Sequence, residues 1–516
     1  MTAESETRNT ALKSDTLNVL ILILVASALG VYLVTTTVLI SKDGTTYIGL
    51  AERFSSEPLN VVKSRCAGYP KEVPFGYPFL IFAAHKVGTW FGVDSSAPAW
   101  ACSAQSATLL CRVLALIPLY FIGKLLVGST KSFWAILILI ALPYPTQFGS
   151  DALRDWPHIL FLTAGFLFLL WGAQRGKGWM FGAAGLAAGL GYFIRAECAQ
   201  LVIYGVSWIL WRLVRPKQNI NRCTLLGATA LLLLGFGVSA GPVMVLKGEI
   251  LPEKLKQYIR TFTLEDAQKN HETQMNTTNV IWTASSLPIE TLRAAGKLAG
   301  GISDNLLYYF VPALIIGIYT RARQRPQTSD IERFFVPAFV VLNVLMMTML
   351  YHRWGYMSRR HSLPLIAMLI FYVPAGLEIL AQWLEQRFSR NRVQSNQPSR
   401  RWFFVLLAIG ACICAPKLLA PLGFDKQGYR DAAEWLRQNS GPKDVIAVPD
   451  LRISLYAERK GVMYTDAIPE GADYIVRIEG DGNDQGPTDE AGRKEFSARV
   501  EKRKKNNKVV VIYRMT

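Results

Sequence analysis

A succession of long apolar runs constrains this chain more than any other feature of its sequence. A helix needs roughly 20 mostly apolar residues to cross about 30 Å of hydrocarbon. Runs of that kind fall near 18–40, 102–123, 132–149, 157–173, 179–194, 197–214, 224–246, 304–320, 334–351, 362–384 and 402–421. They predict a mainly α, polytopic membrane protein with about eleven transmembrane helices. The composition agrees: 51% of the 516 residues are hydrophobic and only 18% charged, with a mean hydropathy of +0.22. Soluble chains carry about a quarter charged residues, so a purely soluble enzyme, a disordered chain and a collagen-like fibre are excluded. The seven Cys are odd in number and mostly sit inside apolar runs, so no disulfide framework organises the fold.

The net charge of +18 would suit nucleic acid, but the basic residues sit in short loops between the runs. Lys124 and Lys131, Arg175 and Lys177, Arg212 to Arg222, Arg321 to Arg333 and Arg387 to Arg401 fill alternate loops. This bias places those loops and the N-terminus in the cytoplasm. The first run follows Arg8 and Lys13 and is too long for a cleaved signal peptide, so it reads as an uncleaved anchor.

Three pieces lie outside the bilayer on this threading. Residues 41–101 form a first external loop, in which Tyr47, Leu50, Ala51 and Phe54 share one face of an amphipathic helix suited to the headgroup region. Within it, 75–91 is apolar but short for a crossing and holds Pro78, His85 and Lys86, so it reads as a helix lying at the outer surface. Residues 247–303 read as a long external loop with little apolar periodicity. The tail, 422–516, pairs a helical stretch at 427–438 with strand-like 444–449, 473–478 and 508–514, a small α/β domain. The chain thus divides into a transmembrane domain, 1–421, and a soluble domain, 422–516.

No metal signature, Walker loop, GxSxG or Rossmann fingerprint is present. The glycines of GAAGLAAGLG (182–191) match small-xxx-small helix packing. What remains is a set of ionisable residues at one membrane boundary: Asp43, Asp151, Arg154, Asp155, Arg195, Glu197, Arg353, Arg359, Arg360 and His361, with Arg112 deeper. Charges at membrane depth usually face an internal cavity and mark function. Acids and arginines together suit sugar transfer from a lipid phosphate. Guanidinium groups hold the phosphate, a carboxylate deprotonates the incoming hydroxyl or amine, and the leaving phosphate needs charge stabilisation rather than an acid.

These residues stand in motifs. A long anchor helix is followed by SKDGTTYIGLAERF (41–54) and VPFGYPFLIF (73–82), then SDALRDWPHILFL (150–162), GLAAGLGYFIRAE (185–197) and SRRHSLPLIAML (358–369). In that order they resemble the polytopic glycosyltransferases of the GT-C fold, in particular the bacterial aminoarabinose transferase and protein O-mannosyltransferase family. The tail's YRDAAEWLRQNSGPKDVIAV resembles the small periplasmic domain of such bacterial enzymes. The resemblance implies an inverting glycosyltransferase of a bacterial inner membrane, with its C-terminal domain periplasmic. It would move a hexose or pentose from a polyprenyl-phosphate donor to a lipid, glycan or protein acceptor, without nucleic acid.

By the same resemblance Asp43 is the catalytic base and Asp155 organises the site. Arg359 and Arg360 hold the donor phosphate, with Arg195 or Lys71 as further contacts. His361 stands where the family usually has an aromatic. Many members show two adjacent acids after the first span, whereas Lys42-Asp43-Gly44 has one; no cofactor is implied, and assistance by a divalent metal stays open. Each residue also has a structural reading: Asp43 as a helix N-cap, Asp155 paired with Arg154, Arg195 paired with Glu197, and Arg359 and Arg360 as headgroup anchors. The competing functions are a transporter or flippase, which calls for charges near the midplane, and a polymerase or ligase of lipid-linked glycans.

Overall fold

The computed structural model describes residues 2–63, 73–215, 222–248, 287–323, 329–388, 400–464, 469, 471–480, 493–500 and 508–515. Lys71, the run 501–505 and most of the expected loop 247–303 lie outside these residues.

The chain opens with α1 (Thr2–Thr35), then α2 (Lys42–Arg53), α3 (Pro58–Lys63) and α4 (Gly76–Trp90). The bundle continues through α5 (Ala97–Val127), α6 (Ser129–Ala141), α7 (Pro143–Phe148), α8 (Asp155–Arg175), α9 (Gly178–Tyr192), α10 (Gln200–Val214) and α11 (Arg222–Lys247). Then come α12 (Leu287–Asn305), α13 (Val311–Arg323), α14 (Asp330–Trp354), α15 (Leu363–Leu369), α16 (Val373–Phe388) and α17 (Arg400–Leu418). Every expected apolar run is helical over most of its length, although 36–40 and 306–310 are not. Among the described residues, seven helical stretches are long and apolar enough to cross a bilayer alone: 13–35, 97–127, 155–175, 222–246, 330–352, 359–388 and 400–418. The others are shorter. The run at 132–149 breaks where Leu142 turns extended before Pro143, so it forms α6 and α7 rather than one rod. This is a multi-pass membrane protein.

Local chemistry sets several of the ends. Ser96 accepts the Ala99 N–H at the start of α5, and Ser329 accepts the Glu332 N–H at the start of α14. Gly176 and Gly355 close α8 and α14 in the left-handed region, which costs glycine least. The expected packing role of 182–191 holds: a Cβ at Gly185 would stand 2.1 Å from the Leu232 carbonyl oxygen, so α9 and α11 touch backbone to backbone.

The tail forms α18 (Gln427–Asn439), β1 (Val445–Val448), α19 (Leu451–Ala457), β2 (Lys460–Met463), β3 (Tyr474–Glu479), β4 (Arg493–Arg499) and β5 (Val509–Arg514). The sheet order is β2-β1-β3-β5-β4, with β1 parallel to β2 and β3, and β5 antiparallel to β3 and β4. The helix and three strands expected from sequence are there; α19, β2 and β4 add to them.

One expectation is corrected. The apolar face of α2 does not lie in headgroups: Tyr47, Leu50, Ala51 and Phe54 are all buried in protein. Tyr47, Ile48 and Ala51 share one continuous core with Tyr77 and Ile81 of α4 and with Tyr429, Leu436, Ile446, Ile453 and Tyr456 of the tail. Leu50 and Phe54 pack with Val61 of α3 and Phe82 of α4, so the tail and the neighbouring helices together take that face out of water. Helix α4 has 15 residues, short for a crossing, with Trp90 exposed at its end.

Candidate active site

The site forms where the tail meets the bundle. Asp43 lies inside the first turn of α2, and its Oδ2 stands 2.5 Å from Arg360 Nη1. The N-cap position is Ser41, so the capping role read for Asp43 does not hold. Arg360 belongs to a 3-10 turn, Arg359–Ser362, that is firmly braced. The Ser358 N–H donates to His361 Nδ1 at 3.1 Å, and Asn305 Nδ2 donates to the Arg359 carbonyl at 3.0 Å. Asp43 is 42% exposed at its side chain, open enough to meet a substrate.

Asp155 pairs with Arg195 rather than Arg154: Arg195 Nη2 stands 2.5 Å from Asp155 Oδ1, and both are buried. Burial works against charge on Arg195, but the neighbouring Asp155 and Glu197 outweigh it and raise its pKa further. Arg154 instead lies 5.9 Å from the Tyr47 ring. This pair sits behind the site and braces it. Arg112 plays a similar part deeper in the bundle, donating to Thr146 Oγ1 at 2.9 Å.

A cavity of about 1130 Å³ opens beside Arg360, between α7, α12 and the end of α14. Asp151 lines its inner end and accepts the Ser41 and Ala152 N–H groups at 2.8 and 2.7 Å. Burial pushes its carboxyl up to about 6, against those hydrogen bonds and the charges of Arg452 and Arg360. Arg359 diverges from Arg360. Its guanidinium lies 4.3 Å from the Tyr144 ring centre and 3.6 Å from Asp304, while Lys417 Nζ lies 4.2 Å from the same ring. From α12, Arg293 and Lys297 complete a cation-rich outer end, and Gly296, Gly300 and Gly301 keep its wall low.

The structure thus brings Asp43, Asp151, Arg359 and Arg360 together and places Asp155 and Arg195 behind them. Lys71 lies outside the described residues, and nothing is shown of the Arg353 side chain. Sequence reasoning missed Arg293 and Lys297 because it left 287–303 as loop, and missed Tyr144 and Asp304 because it read 132–149 and 304–320 as membrane spans. The signal was there: Ala294, Leu298 and Ile302 recur at helical spacing and face inward, with glycines between them.

Among the described residues no group of three or more His, Cys, Asp or Glu is placed to hold a metal ion. The three carboxylates are engaged by Arg360, by backbone N–H groups and by Arg195.

Residues 97–239 match the family model for dolichyl-phosphate-mannose-protein mannosyltransferase. No curated protein sequence matches the chain. Among solved structures it is similar to ArnT from Cupriavidus metallidurans bound to undecaprenyl phosphate, at 13% identity over 96% of this chain and 97% of that one, TM-score 0.52. It is also similar to the Archaeoglobus fulgidus oligosaccharyltransferase in complex with zinc and sulfate, at 13% identity over 88% and 67%, TM-score 0.51. The oligosaccharyltransferase AglB from Archaeoglobus fulgidus, in complex with an inhibitory peptide and a dolichol-phosphate, matches at 12% identity over 89% and 69%, TM-score 0.50. The chain has the GT-C fold of these glycosyltransferases.

Proposed function

We propose that the protein is an inverting glycosyltransferase that moves a sugar from a polyprenyl-phosphate donor to an acceptor at the extracytoplasmic face of a bacterial inner membrane. The observation that carries this reading is the Asp43–Arg360 pair beside a cavity whose outer end is lined by Arg293, Lys297 and Arg359. The names of the similar structures, with their bound undecaprenyl phosphate and dolichol-phosphate, support a lipid-linked donor.

The donor phosphate would sit among Arg359, Lys297 and Arg360, with its isoprenoid leaving along the low glycine wall of α12. Phosphate competes with Asp43 for Arg360, so donor binding frees the carboxylate at the moment the sugar arrives. Asp43 then takes the proton of the acceptor hydroxyl or amine as its oxygen or nitrogen bonds to the anomeric carbon. The bond from that carbon to the phosphate oxygen breaks with its electron pair on the phosphate, whose charge the guanidinium groups hold. A transporter calls for charges at the midplane. Here the carboxylates and guanidinium groups gather at the tail end, beside one cavity.

Purification with native lipids, followed by mass spectrometry, should find a polyprenyl phosphate bound. Asp43→Asn should keep that lipid and lose transfer by a factor of about 100 or more, the usual scale for a general base. Undiminished transfer by Asp43→Asn removes Asp43 from the mechanism.

A further inference from the structure

The segment between α1 and α2 has no regular structure, yet the N–H groups of Val38, Leu39 and Ser41 and the carbonyl of Ile40 are all held. The Val38 and Leu39 N–H groups donate to the Leu422 carbonyl at 2.9 and 3.3 Å. The Tyr456 hydroxyl faces the Ile40 backbone. The Ile40 carbonyl accepts Arg452 Nη1 at 3.1 Å. The Ser41 N–H goes to Asp151. Lys42 then begins α2, and Asp43 follows one residue later.

The residues that reach Ile40 come from one face of one tail helix: Arg452 and Tyr456 are four apart on α19. Neither is free to swing. Asp450 grips the Arg452 guanidinium with both oxygens, at 2.9 and 2.7 Å, leaving one nitrogen directed at Ile40. Both residues are buried. Arg430 lies 4.1 Å from the Tyr456 ring centre. Gly423, at φ +71°, lets the chain pass where a Cβ would stand 2.4 Å from the Leu39 carbonyl oxygen.

We infer that the tail domain is part of the catalytic machinery: Arg452 and Tyr456 are positioning residues that clamp Ile40 and so set the place of Asp43 against Arg360. The inference rests on the reading of Asp43 as the base. Removing the clamp frees the chain just ahead of α2, where an ångström of drift separates a carboxylate that reaches its proton from one that does not.

Hydrogen–deuterium exchange of the full-length protein tests it without a substrate. In Arg452→Met and in Tyr456→Phe, amides over 38–48 should exchange at least about tenfold faster, as for a segment whose local opening has become cheap. Strands β1, β3 and β5 should keep their native protection. Arg452→Lys retains a donor and a partner for Asp450, and should return 38–48 to within about threefold of native exchange. Tyr456→Phe keeps the ring packed and guards against a tail that Arg452→Met merely unfolds. Unchanged protection at 38–48 in both variants overturns the inference. So does loss of protection in the tail strands as large as that at 38–48. Asp43→Asn should leave 38–48 protected; if it also keeps transfer, the reading of Asp43 falls while the exchange pattern still decides the clamp.

Discussion

The Asp155–Arg195 pair permits a quantitative test of how the site is braced. Both side chains are buried, at 2% and 8% relative exposure, and Oδ1 to Nη2 is 2.5 Å. Removing one partner of such a pair strands the other in a low-dielectric interior and costs about 3–5 kcal/mol, whereas replacing both is often nearly neutral. The surroundings break the symmetry. Asp155 feels Arg360 and Arg154 besides Arg195, while Arg195 has Glu197 as a further anionic neighbour and is repelled by Arg360. Asp155→Asn therefore leaves several cations facing one another and should cost about 4–5 kcal/mol. Arg195→Met leaves Asp155 with Arg360 in reach and should cost less, about 2–3 kcal/mol. In the double variant the coupling should exceed about 2 kcal/mol, the upper range for contacting residues. Equilibrium unfolding in mixed micelles, followed by tryptophan fluorescence, gives all four values; Trp156 stands next to Asp155 in the chain. A coupling below about 1 kcal/mol refutes the argument, and so does a greater loss from Arg195→Met than from Asp155→Asn.

Two further outcomes follow from the cavity. Asp151 has its pKa raised from 3.8 to about 6, so the folded protein holds this proton more tightly than the unfolded chain. Stability should therefore fall as pH rises from about 4 to about 6, by at most about 3 kcal/mol and by less for a partly exposed group. Asp151→Asn keeps an acceptor for Ser41 and Ala152, and thermal midpoints measured from pH 4 to 7 should lose that slope; an unchanged slope assigns it to other groups. Replacing Arg359 and Lys297 together by Leu should weaken undecaprenyl phosphate binding by at least about tenfold, since a hydrogen bond to a charged group contributes about 1.5–3 kcal/mol. Calorimetric titration in nanodiscs reads this, and native affinity would move the phosphate elsewhere.

Much of the fold was legible because a bilayer imposes one rule on every segment: satisfy the backbone locally and show apolar side chains to lipid. That rule marks α5 or α14 without any knowledge of their neighbours. It marks interiors poorly. The amphipathic face of α2 was read correctly, but its partners are α4 and a tail hundreds of residues away, and periodicity does not name partners. Adjacency misled at 359–360: consecutive residues of a 3-10 turn point apart, so Arg360 meets Asp43 while Arg359 lies over Tyr144. Asp155 and Arg195 were singled out, yet each was matched with a neighbour in sequence rather than with the other, 40 residues off. Helix α12 was hidden by glycines that weaken the helical signal and also make room beside the site.

The contact between Arg452 and Ile40 joins residues 412 positions apart. During synthesis, Ile40 leaves the ribosome long before Arg452 has been translated, and nearly every helix of the bundle is inserted in between. On the proposed function, the chain therefore carries Asp43 for most of its biogenesis on an unfastened thread, and competence for the proposed transfer waits until α19 has been made and docked.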